Sequence, residues 1–232
     1  MILCEEMAGM SKGGVLDERL KAVLTANTKE LSSVEGNLLS VAKRKDIKTI
    51  FITSCNTSEG KTISAISMAY ALATHANAKV LLIDGNLHSP MIHELFSVEP
   101  APGLADLLLF AMDFTNIIRD TEFERFVIMP CGSDVFNKLE VFESEVFKKK
   151  LTSLRQSFDY IIVDGHAVFG SSDPAHIAGY FDGIIFVVES EKTKWEVLQS
   201  AKEKISNAGG NILGVVLNKR KYPIPEKLYE KI

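Results

Sequence analysis

The chain has 232 residues, 46% of them hydrophobic and 24% charged, with a formal net charge of -4. That is enough for one sizeable domain with a full core, and the acidic balance gives no overall field to draw nucleic acid, so none is expected as a partner. No uninterrupted apolar run approaches the roughly 20 residues that cross a bilayer, and the cysteines Cys4, Cys55 and Cys131 are too scattered for a disulfide framework or zinc cluster and fit a reducing cytoplasm.

The opening "MILCEEMAGM" carries Glu5 and Glu6 where a signal peptide needs an apolar core. Residues 1–15, with Gly9, Gly13 and Gly14, read as a loose segment, and "SKGGV" at 11–15 is a decoy for a phosphate loop because no strand precedes it. Leu16, Leu20, Val23 and Leu24, then Leu31, Val34, Leu38 and Leu39, recur at helical spacing, with a break near Thr25–Thr28. Residues 1–45 are therefore expected to be a loose start plus helices packed on a domain at 46–220, with a tail at 221–232.

From Lys48 the texture changes. The runs at 48–54, 79–84, 125–130, 159–164, 182–189 and 211–218 are nearly continuously apolar, as strands buried on both faces of a parallel sheet are. Helical stretches fall between them, at 61–75, within 90–112, and at 140–157, 173–180 and 193–208. This alternation predicts an α/β fold, a doubly wound, mostly parallel sheet with helices on both faces. The basic runs at 43–45, 148–150 and 219–221 read as solvated faces or element ends. Asp173, Asp182 and Thr193 open predicted elements and are expected to cap them.

"TSCNTSEGKT" (53–62) stands where such a sheet binds ligands, between the first strand and the first domain helix. Small residues let backbone N–H groups curl round phosphate oxygens, and the helix N-terminus adds its positive end. Thr57, Ser58, Glu59, Gly60, Lys61, Thr62 and Ile63 are the expected nucleotide contacts. Lys61 reaches the β- and γ-phosphates, and the Thr62 hydroxyl binds Mg²⁺. Cys55 replaces the usual first glycine, a tolerable change if the backbone turns without it. Asp84, ending "VLLID", and Asp164, ending "DYIIVD", are strand-tip acids that would hold the metal; Asp84 could also take a proton from an incoming hydroxyl. Asn218, at the last strand tip, is expected to reach the base. Lys61, Asp84 and Asp164 form the catalytic set, and Thr62, Asp84 and Asp164 the metal set.

In this order and spacing, "TSCNTSEGKT", "LLIDGNLHSP", "PGLADLLL", "IMPCGS" with "NKLEVFESEVF", "DYIIVDG", "SSDPAHIAGYFDGIIFVVESEKT" and "GVVLNK" resemble one family over about Lys48–Lys219. It is the cytoplasmic domain of bacterial tyrosine kinases of capsule and exopolysaccharide assembly, in the P-loop class that also holds partitioning ATPases. The resemblance implies ATP and Mg²⁺ as cofactors, and phosphorylation of tyrosines on the protein itself or its partners. It also implies a membrane-bound polysaccharide co-polymerase or activator subunit as partner, a homo-oligomer, and a cytoplasmic place at the membrane's inner face through that partner.

The chain departs from the family at several points. Asn86 stands where a second acid is usual, His88 where a basic residue is, and "GHA" (165–167) where Thr-Pro-Pro follows the second acid; His166 reads as a solvated loop histidine. Around "ELSSVEGNLL" (30–39) the arginines of ring assembly are missing, and the tail has only Tyr222 and Tyr229, beside Pro223 and Pro225. These departures leave open a catalytically weak nucleotide-binding regulatory subunit. A positioning ATPase is a further alternative, against which Asn56 speaks, because that branch carries a lysine there.

Overall fold

The computed structural model describes residues 14–26, 32–33, 36–41, 46–110, 112–134, 142, 145–171 and 173–219. Cys4, the run at 43–45, Arg220, Lys221, Tyr222 and Tyr229 lie outside them. The elements are α1 (Glu18–Ala26), β1 (Thr49–Ser54), α2 (Lys61–Thr74), β2 (Val80–Asp84), α3 (Ile92–Leu95), α4 (Leu104–Leu109), β3 (Arg119–Asp120), β4 (Phe126–Met129), α5 (Glu145–Ser157), β5 (Tyr160–Ala167), α6 (Asp173–Ile177), β6 (Gly183–Glu189), α7 (Trp195–Asn207) and β7 (Ile212–Asn218).

The seven strands form one sheet in the order β3-β4-β2-β5-β1-β6-β7. Every pairing is parallel except β3 with β4. Two apolar layers cover the sheet. On one face Phe51, Ile83, Val163 and Phe186 pack under α4, α5, α6 and α7. On the other, Ile52, Leu82, Ile162 and Val187 pack under α1, α2 and α3. The doubly wound expectation holds, and continuous apolar runs are what such double coverage requires.

Two expectations about strands need correcting. β7 is an edge strand, so Val215 and Leu217 remain 44% and 56% exposed rather than buried on both faces. β5 does not stop at Asp164. It bulges and runs on to Ala167, which pairs with Ser54. Gly165 allows this, because a Cβ there would lie 2.0 Å from the Phe51 ring. Gly14, placed in the segment expected to be loose, bridges to Thr121, and Leu16, Leu20 and Leu24, expected at helical spacing, are buried, the last two on α1.

At the entry ends of the strands, Asp182 does more than cap. Its Oδ2 accepts N–H bonds from Lys48 (2.9 Å) and Thr49 (2.8 Å) and the Thr49 hydroxyl (2.9 Å). The Arg155 guanidinium donates to Oδ1 (2.6 Å) and Oδ2 (2.5 Å). These donors outweigh burial and hold the Asp182 carboxyl below the usual range. The basic run at 148–150 is likewise more than a solvated face: Lys150 donates to the Met112 carbonyl at 2.9 Å, and Lys148 lies over the Tyr180 ring. Asp182→Ala strands these donors and is expected to cost about 2–3 kcal/mol in urea unfolding. Nucleotide affinity should stay within about twofold, since the pin lies at the strand ends away from the phosphate loop.

Candidate functional site

β1 delivers the chain to a turn at residues 55–60, and α2 leaves from it. Ser58 (φ 62°) and Gly60 (φ 96°) take the left-handed backbone; Cys55 does not. The usual first glycine is thus not needed for the turn here. Cys55 is instead a fully buried core residue, and burial, with the Glu59 charge second, pushes its thiol up to about 12. Gly60 precedes α2, no side chain caps the helix, and its first turn holds no acid. The N–H groups of Lys61, Thr62 and Ile63 therefore lack helical partners, and the positive end of the helix is open to an anion.

Glu59 holds this turn from inside. It is only 3% exposed. Its Oε2 accepts the N–H groups of Cys55 (2.9 Å) and Asn56 (3.1 Å), while Oε1 accepts the Asn56 amide and the Thr193 hydroxyl. Thr193 thus serves the loop rather than capping α7, whose N-cap is Lys194. Asn218, expected at the base, donates from Nδ2 to the Glu59 carbonyl at 3.0 Å. It also lies against Gly60, where an added Cβ would come within 2.0 Å of that nitrogen. Lys219, expected to be solvated, donates to the Ser58 carbonyl at 2.8 Å and pairs with Glu189 at 3.1 Å. Thr57 and Ser58 are exposed on the rim, and the Ile63 side chain is 36% exposed.

Asp84 and Asp164 are register partners on adjacent strands, and both are fully buried. The Thr62 hydroxyl donates to Asp164 Oδ2 at 2.6 Å, joining the loop helix to the β5 tip. Burial pushes the Asp164 carboxyl up to about 6 against the pull of Thr62 and Lys61. Asp84 is pushed up to about 7 by burial and then by the Asp164 charge. Its Oδ2 accepts the N–H groups of Met91 and Ile92, both at 3.0 Å, and its Oδ1 that of Asn86 at 3.2 Å. The Lys61 ammonium, largely buried, has its pKa lowered by burial despite the charges of Asp164 and Glu59.

Asp164 Oδ1 is buried with no hydrogen-bond partner, and so is Asn86 Oδ1. An orphaned carboxylate oxygen beside a hydroxyl is a hard-oxygen donor set, the chemistry that Mg²⁺ prefers. His166, expected in a solvated loop, belongs to β5 and is half-buried. Its Nε2 accepts the His88 N–H at 3.3 Å, and the two rings stand edge to face at 4.4 Å. Sequence reasoning missed Thr193 and Lys219 as loop contacts, and Glu189 as the acid that pairs with Lys219. Only Glu189 carried a signal, as an acid ending an apolar strand run.

The sheet and loop define a P-loop nucleotide-binding domain. Residues 47–196 match the AAA domain family. The tyrosine-protein kinase CpsD of Streptococcus pneumoniae serotype 4 is 34% identical over 174 residues, covering 75% of this chain and 76% of CpsD. The crystal structure of the chimerical protein CapA2B2 aligns with a TM-score of 0.81 at 25% identity, over 94% of this chain and 98% of that one. The septum site-determining protein MinD from Pyrococcus horikoshii, complexed with Mg-ADP, aligns at 0.61 with 22% identity, over 79% and 76% of the two chains; this shows the fold alone. The chain belongs to the bacterial tyrosine-protein kinases, a branch of the P-loop class.

The buried acids set a pH dependence. Between the unfolded carboxyl value of 3.8 and the folded values of about 6 and 7, the unfolded chain holds fewer protons than the folded one. Stability of the nucleotide-free protein therefore falls as pH rises through that window. Thermal melts at pH 5 and pH 8 should show the lower Tm at pH 8, and Asp84→Asn should shrink the difference.

Proposed function

We propose that the protein is an ATP-dependent protein-tyrosine kinase that phosphorylates itself or a partner in capsule or exopolysaccharide assembly. The observation that carries this reading is the uncapped N-terminus of α2 joined through Thr62 to a buried acid with a free oxygen. Loop N–H groups from Glu59 to Thr62 and the Lys61 ammonium clasp the triphosphate. Lys61, at the head of the helix, would bear on the β- and γ-phosphates. Thr62 and Asp164 would hold Mg²⁺, with Asp84 on the neighbouring strand as a further carboxylate. When bound, Mg²⁺ neutralises charge on the β- and γ-phosphate oxygens.

Asp84 also takes the proton. Its Oδ1 accepts the Asn86 N–H and keeps a lone pair for an incoming proton. The tyrosine oxygen forms a bond to the γ-phosphorus as the bond to the bridging oxygen breaks. The phenolic proton passes to Asp84 and ADP leaves. The partner implied by the family resemblance is a membrane-bound co-polymerase or activator subunit. No helix among the described residues is long and apolar enough to cross a membrane.

One observation favours a second reading, a regulatory subunit that binds nucleotide with little transfer. Asn86 places a neutral amide oxygen where the kinases usually carry an acid. Lys61→Met separates the two when ATP affinity and phosphotyrosine are measured together on native and variant protein. Loss of both in the variant is the kinase result. Nucleotide binding in the native protein without phosphotyrosine, on itself or an added polysaccharide-assembly partner, would refute the kinase reading and leave the regulatory one.

A further inference from the structure

The phosphate loop is gripped from behind at two of its carbonyls. Lys219 Nζ donates to the Ser58 carbonyl at 2.8 Å, and Asn218 Nδ2 donates to the Glu59 carbonyl at 3.0 Å. Both donors sit at the tip of β7, about 160 residues along the chain from the loop. In a planar trans peptide the C=O and the following N–H point in opposite directions. Fixing the Ser58 carbonyl backward turns the Glu59 N–H forward, and fixing the Glu59 carbonyl backward turns the Gly60 N–H forward. The forward side is that of the Lys61–Thr62 helix start, where a phosphate would lie.

The geometry points to Asn218 and Lys219 as positioning residues that aim the Glu59 and Gly60 N–H groups at the phosphates of bound nucleotide. This rests on the nucleotide-binding reading above and gives Asn218 a role other than touching the base. Two further contacts brace the clamp. The Asn218 carbonyl accepts the Ser190 N–H at 2.9 Å, and Glu189 Oε2 accepts Lys219 Nζ at 3.1 Å. The β6 and β7 tips and the loop are therefore joined in one hydrogen-bonded network. Gly60 is part of the fit, because any Cβ there would strike the Asn218 amide.

A phosphate-aiming role and a base-reading role predict different ligands to be affected. Calorimetry on the native protein, Asn218→Ala, Lys219→Met and Lys219→Arg would use MgATP, MgGTP and magnesium tripolyphosphate, which has no base. The clamp predicts that Asn218→Ala and Lys219→Met each weaken MgATP and tripolyphosphate by the same factor, about fivefold for one lost aiming bond. The ATP-to-GTP preference should not move, and Lys219→Arg should stay close to native. A changed ATP-to-GTP preference with unaltered tripolyphosphate affinity in Asn218→Ala would overturn the inference and return Asn218 to the base. Lys219→Met with native tripolyphosphate affinity would overturn it for Lys219. If Asn218→Ala does not fold, Lys219→Met carries the test alone, its side chain being about half exposed. A native protein that binds none of the three ligands would instead remove the nucleotide reading itself, and the clamp with it.

Discussion

The hydrogen bond from the Thr62 hydroxyl to Asp164 joins the two halves of the site. It ties the first turn of α2, which offers unpaired N–H groups, to the centre of the sheet, where β5 lies between β2 and β1. Because β2 and β5 are parallel and in register, Asp84 is carried to the same level as Asp164 on the same face. Two carboxyl groups are thus held side by side away from water. Burial makes each harder to ionise, the Asp164 charge adds to the effect at Asp84, and a cation brought by a phosphate ligand would relieve both.

The contrast with Asp182 shows how placement divides the labour of one residue type. Asp182 is ringed by backbone, hydroxyl and guanidinium donors, and its charge is stabilised. Asp164 has one hydroxyl donor and an oxygen left over, and its charge is penalised. A satisfied acid at the entry ends of the strands secures the fold. An incompletely satisfied one at the exit ends is available for chemistry, because buried polar groups without partners are rare unless something is to bind them.

The phosphate loop depends on the same gathering of strand tips. Glu59 fills the turn from within, and its outer oxygen meets Thr193. Its carbonyl and that of Ser58 are held by β7. A loop supported in this way does not need flexibility at its first position, which is how Cys55 is accommodated as a core residue. Glycine is needed at Gly60 instead, where φ is 96° and the Asn218 amide leaves no space for a side chain.

Much of this was legible in the sequence. Apolar runs marked β1, β2, β4, β5, β6 and β7, helical spacing marked the major helices, and "SEGKT" marked the loop, because these are local patterns that burial and backbone geometry impose directly. The two-residue β3 was too short to leave a pattern, and the exposure of β7 depended on its being at the edge. Lys219 and Thr193 were misread for a related reason: each has an ordinary local explanation, and its partner in the loop lies more than 130 residues away, as does the Glu59 carbonyl that Asn218 meets. The sequence by itself determined which longer segments are strands, where the phosphate loop and its helix begin, and which acids lie in the last part of an apolar run. Only the tertiary structure decided which tips become neighbours, which donors hold the loop's carbonyls and which acid keeps an unpaired oxygen, because strand order and hydrogen-bond partnership are properties of the folded packing and not of any stretch of chain.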